Sequence, residues 1–163
     1  MNLVIQGKTL SFGAKSYPCA IGKGGVRADK REGDGASPIG SFAIRRILYR
    51  ADRVSKPETR LPVKAIGKQD GWCDDPDHIL YNRAICLPFK GSHEKLWRED
   101  HIYDIIVILG HNDAPPVAGK GSAIFFHLAR ENYEGTEGCI AVKQAHMFEI
   151  LKAVDETSRI EIG

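Results

Sequence analysis

The chain has 163 residues, 42% hydrophobic and 27% charged, with a formal net charge of +2. This is enough for one domain that buries most of its apolar surface without staples, and too little charge to argue for a nucleic-acid partner. No stretch approaches the roughly 20 apolar residues of a membrane span, and the four cysteines (Cys19, Cys73, Cys86, Cys139) are widely spaced with no CxxC, so neither a disulfide framework nor a zinc finger follows.

The first residues, MNLVIQGKTLSFGAKSYPCAIG, lack a basic start, a long apolar core and a small-residue cleavage site. The expectation is a cytoplasmic protein in a reducing compartment. It becomes a periplasmic one if the native chain carries an upstream export signal.

Asn2 to Phe12 reads as a small hairpin around Gly7-Lys8, and Tyr17 to Ile21 as another strand. Gly22 to Gly40 is rich in glycine and charge and reads as an exposed loop. It lacks GxxxxGK[ST] and no helical pattern follows, which argues against a nucleotide cradle. Gly40 to Tyr49 (GSFAIRRILY) fits a core strand, and the basic, proline-interrupted Arg50 to Gly71 fits loop with short extended pieces.

In GWCDDPDHILYN, the side chains of Cys73, Asp74, Asp75, Asp77 and His78 mix hard and soft ligands without a paired spacing. A turn-rich loop anchored by Trp72 and Tyr81 is the better reading, and no metal or other cofactor is expected. Ile85 to Pro88 reads as a short strand, and SHEKLWR (Ser92 to Arg98), with a serine positioned as an N-cap, as one or two helical turns. Tyr103 to Gly110 (YDIIVILG) is the most hydrophobic run and reads as a central strand buried on both faces. His111 and Asn112 emerge at its end, either as site residues or as a turn cluster with Asp113.

Ala123 to Phe126 is an apolar run rich in strand formers, and it delivers His127 at its end. A polar segment follows, and the chain returns at Thr136-Glu137-Gly138-Cys139 before the apolar Ile140-Ala141-Val142. One imidazole and one thiol therefore sit at the two mouths of one loop. That is what a cysteine nucleophile and its base require. Gly138 leaves room for a substrate carbonyl, and the amides of Gly138 and Cys139 suit an oxyanion. Lys143 to Glu156 has apolar residues at helical spacing and reads as an amphipathic helix with His146 at its rim, and Arg159 to Ile162 closes as a strand.

His127, Thr136, Gly138 and Cys139 resemble the signature of the L,D-transpeptidase catalytic domain family (YkuD-like): a His, a spacer, then Ser/Thr-His-Gly-Cys. Glu137 replaces the second His, and Ala141 stands where the family usually has Arg or Asn. Ser37-Pro38-Ile39-Gly40-Ser41-Phe42 is similar to the family's Thr-Pro-x-Gly-x-Phe turn, and the DGWCDDP stretch with its following Tyr-Asn is similar to a loop of the short members. The resemblance runs from the Gly40 turn to the final helix. It implies a mostly-β domain, a curved β-sandwich with one or two helices, as a single catalytic unit spanning 1–163.

It also implies a chemistry. Cys139 attacks the carbonyl of the L,D peptide bond in a peptidoglycan stem tetrapeptide, His127 handles the proton, and D-alanine leaves. Arg130 would clamp a substrate carboxylate, with Thr136 and Glu137 beside it and His111 and Asn112 as further binding candidates. The acyl-enzyme then goes to water (an L,D-carboxypeptidase acting on muropeptides during recycling) or to an amine (a transpeptidase). The hydrolase is favoured here. A non-catalytic module binding wall fragments is a third reading, and a redox-sensing thiol is disfavoured because no resolving cysteine lies nearby. The sequence does not address the oligomeric state.

Overall fold

A computed structural model describes residues 1–163. Fourteen strands and a single helix follow in chain order. The hairpin forms as β1 (Leu3–Gln6) and β2 (Thr9–Phe12), antiparallel, with Gly7 at φ +56° in its turn. β3 (Lys15–Pro18) pairs with β2. β4 (Val26–Arg27) and β5 (Ser37–Pro38) make a two-residue parallel clip inside the glycine-rich loop, and β6 (Gly40–Tyr49) has the bounds expected from sequence.

β7 (Val63–Ala65) adds to β6. β8 (Asp70–Cys73), β9 (Ala84–Cys86) and β10 (His93–Lys95) form a separate three-stranded sheet. β10 corrects the helical expectation for SHEKLWR. Its backbone pairs antiparallel with β8, His93 against Cys73 and Lys95 against Gly71, while the Ser92 amide is held by Asp75. A short segment beside an unpaired strand edge takes the ladder, because one or two isolated helical turns do not repay their nucleation cost.

β11 (Ile105–Leu109), β12 (Phe125–Leu128) and β13 (Ile140–Val142) complete one side of the main sheet. α1 (Gln144–Ala153) and β14 (Arg159–Ile162) follow. The main sheet runs β13-β12-β11-β6-β14-β1-β2-β3. Just past β3, Ala20 exchanges backbone hydrogen bonds of 2.8 and 3.0 Å with Ala141 on β13, so the sheet curves until its two ends nearly meet. Closing the edge in this way satisfies backbone groups that an open sheet leaves exposed.

Side-chain alternation divides the molecule into two cores. Ile105, Val107 and Leu109 of β11, and Phe126 and Leu128 of β12, join Met147, Ile150 and Leu151 of α1 in the larger core. Ile106, Ile108 and Phe125 point to the other face, against Trp72, Leu96 and Tyr103. β11 is therefore buried on both faces, which is why YDIIVILG reads as an unbroken apolar run. The fold matches the mostly-β, curved-sandwich expectation with one helix. No helix is long and apolar enough to cross a membrane.

Candidate active site

β12 and β13 run parallel, with His127 opposite Ala141 and Phe126 opposite Ile140. The loop between them is thus a crossover, and His127 lies within β12 rather than past its end. Alternation puts Phe125 and His127 of β12 on the same face as Cys139 and Ala141. Cys139 is then one side-chain step along the pair from His127, roughly 7 Å along the strand and about 5 Å across. Both residues open into one cavity of about 610 Å³ between the glycine-rich loop and the β12–β13 crossover.

Each reactive group has a defined local partner. The Cys139 thiol donates to Ala123 O at 3.2 Å and accepts from the Phe125 amide at 3.4 Å. His127 Nδ1 lies 3.0 Å from Leu128 O. A carbonyl only accepts, so Nδ1 carries the proton and Nε2 is left with its lone pair, the tautomer of a base. Only 7% of Cys139 and 5% of His127 is exposed, and burial acts on both. It pushes the thiol up to about 12, with the Glu94 carboxylate adding to the shift, and brings the imidazole down to about 4. The resting pair is neutral, so any attack by the Cys139 thiol has to be accompanied by proton transfer.

The turn that carries Cys139 is tied on several sides. Gly138 sits at φ +131°, and a Cβ there would meet Ala36 O at 2.7 Å. Its carbonyl accepts from Ser37 Oγ at 2.8 Å, and Ser37 Oγ accepts from the Gly22 amide at 2.9 Å. Thr136 Oγ1 donates to Cys139 O at 2.6 Å and accepts from the Gly138 amide at 3.1 Å. The Gly138 amide is thereby engaged, and of the two candidate oxyanion donors the Cys139 amide is the one without a hydrogen bond.

Arg130 lines the cavity, as do Thr136 and Glu137. Arg130 ion-pairs with Asp100 and Glu134, and Glu137 pairs at the exposed rim with Lys23. His111 and Asn112 do not line this cavity. Asn112, at φ +48°, instead holds its own turn through Val117 and Gly121, and the His111 ring lies edge-on to Phe42.

The cavity is also lined by Glu32, Asp74, Glu94, Arg98 and Tyr103, none of which the sequence marks as a site residue for this chemistry. Arg98 is forked onto Asp100 at 2.8 and 2.7 Å. Glu32 accepts from Tyr81 and Ser122. Asp74 Oδ1 is buried with no partner, and Glu94 accepts from the Tyr103 hydroxyl. One signal was available. Glu94 and Arg98 line the cavity on either side of the buried Leu96, an alternation of period 2 inside SHEKLWR. No group of His, Cys, Asp and Glu side chains is arranged to hold a metal ion.

The family model described as YkuD, L,D-transpeptidase catalytic domain, matches residues 3–162. No curated protein and no solved structure matches the chain.

Proposed function

Because the chain belongs to the YkuD family of L,D-transpeptidase catalytic domains, we propose that it is a cysteine L,D-carboxypeptidase that trims D-alanine from stem tetrapeptides of soluble muropeptides. The observation that carries this is the shared cavity. It puts a buried thiol, an imidazole in the basic tautomer and a free backbone amide around one space of about 610 Å³. That volume suits one ligand of drug-like size, and hydrolysis needs only water beside it.

The Cys139 sulfur attacks the carbonyl on the L side of the L,D bond as its proton passes to His127 Nε2. The Cys139 amide holds the oxyanion. His127 returns the proton to the departing amine, D-alanine leaves, and the tripeptide remains as a thioester. Water then releases the tripeptide acid. Arg98 and Arg130, braced by Asp100 between them, form a cationic wall for a substrate carboxylate.

A transpeptidase is the second reading, and one observation favours it. Glu32, Asp74 and Glu94 make an acidic wall that would draw in an ammonium-bearing acceptor. Incubation with a stem tetrapeptide, with and without an amine acceptor, separates the two. Tripeptide formed at the same rate in both supports the hydrolase, a crosslinked product with acceptor supports the transferase, and no product in either removes both.

A further inference from the structure

The acyl transfer derived above uses one base, and the cavity holds a second. Glu94 lies on β10, a strand that brings it from the small sheet to the wall of the Cys139 cavity. Its direct side-chain partner is the Tyr103 hydroxyl, and the Tyr103 ring packs edge-on against His127 with centroids 5.2 Å apart. No cation pairs with Glu94. Arg98 is forked onto Asp100, Arg130 is shared between Asp100 and Glu134, and Lys30 is held by Asp34. Arg98 acts on the Glu94 carboxylate only from a distance. A partly buried carboxylate lining the thiol's cavity without a direct ion pair opposes stability, and such groups mark sites of acid–base work.

We infer that Glu94 is the catalytic base of the hydrolytic half-reaction, held by Tyr103 to receive a proton from the water that attacks the Cys139 thioester. The inference rests on the acyl-enzyme reading above. In this step the water oxygen forms a bond to the acyl carbon, and one water proton passes to the Glu94 carboxylate. The C–S bond breaks with its electron pair going to sulfur. The proton then moves from Glu94 to the Cys139 thiolate, leaving a neutral thiol, a neutral imidazole and the tripeptide acid. Atoms and charge balance, and no further reactant is needed.

Base strength points the same way. Burial raises the Glu94 carboxyl, with Asp74 and Glu32 adding to it against the pull of the Tyr103 hydroxyl and Arg98, whereas burial lowers His127 to about 4. A carboxyl held above its usual value is thus a stronger base than this imidazole held well below its own. Tyr103 is a positioning residue here. It aims the carboxylate and links it to the wall that carries His127.

The test is Glu94→Gln, mixed with a stem tetrapeptide and followed by D-alanine release and intact-protein mass. The expected result is one equivalent of D-alanine released at close to the wild-type rate. Deacylation then slows on the order of 100-fold, a tripeptide adduct accumulates on Cys139, and hydroxylamine restores turnover. Tyr103→Phe, which keeps the ring and leaves Glu94 without its donor, should show the same pattern in milder form, and it serves if Glu94→Gln does not fold. Steady hydrolysis by either folded variant at the wild-type rate overturns the role of Glu94, as does loss of the first D-alanine burst. A wild-type protein that forms no acyl-enzyme overturns the functional reading itself, and this inference with it.

Discussion

Ser37 and Gly138 are joined by a hydrogen bond of 2.8 Å from the serine hydroxyl to the glycine carbonyl, so the β5 turn fastens the residue beside Cys139. Ser37 is fully buried and also accepts from the Gly22 amide. Replacing it with alanine strands two buried backbone groups. Ser37→Ala should cost about 1–3 kcal/mol of stability and lower kcat more than it raises KM. Denaturant unfolding and steady-state kinetics check both. An unchanged kcat would mean that the clip does not set the position of Cys139.

Gly138→Ala should be far more damaging. The added methyl meets Ala36 O, and the backbone angle is one that L side chains rarely adopt. A loss of about 2–4 kcal/mol is expected, and turnover should fall below detection. A variant that keeps both its melting temperature and its activity contradicts the geometry of this turn.

Arg130→Ala should raise KM about tenfold, equivalent to roughly 1.4 kcal/mol, with a smaller change in kcat. Arg98→Ala should do more, because it also frees Asp100 and removes the cation 5.3 Å over the Tyr103 ring. The same two substitutions should cost little against a substrate whose carboxylate is amidated. An undiminished penalty there would remove the arginines from substrate binding.

Buried histidines make stability depend on pH. His127 and His111 both sit at about 4 in the folded chain, lowered chiefly by burial, against 6.5 when exposed. Between those values the unfolded chain binds the extra protons, so stability is lost as pH falls from 6.5 toward 4. For His127 this reaches roughly 3 kcal/mol. Glu94 opposes part of it, since its raised carboxyl lets the folded state hold a proton as pH falls toward the unfolded carboxyl value. Thermal unfolding from pH 7 to 4.5 should show a steep decline in the wild type and a shallower one in His111→Gln. Parallel curves would place His111 in a site that accepts its proton freely.

What was legible followed from local pattern. β6 and β14 are legible to their exact ends because alternation and flanking turns mark them, and β11 stands out because both of its faces are covered. His127 and Cys139 could be paired because one loop connects them. The sequence of β10 points to a helix because a serine before a charged segment looks like a helix cap, while the partner that decides its state, β8, lies across a turn-rich segment. Glu32, Asp74 and Tyr103 reach the cavity through tertiary packing alone, from segments whose sequences carry no period pointing there. His111 looked equally exposed to function at a strand end, but the turn held by Asn112 leaves it outside the cavity.

The central claim is that Cys139 forms an acyl bond with the substrate while His127 moves the proton. Rapid acid quenching of the wild type with a stem tetrapeptide, followed by intact-protein mass spectrometry and peptide mapping, tests it directly. The account predicts a tripeptide acyl adduct on Cys139, with free D-alanine appearing in step with it, and neither in Cys139→Ala or His127→Ala. D-alanine released with no adduct, and persisting in Cys139→Ala, would contradict it.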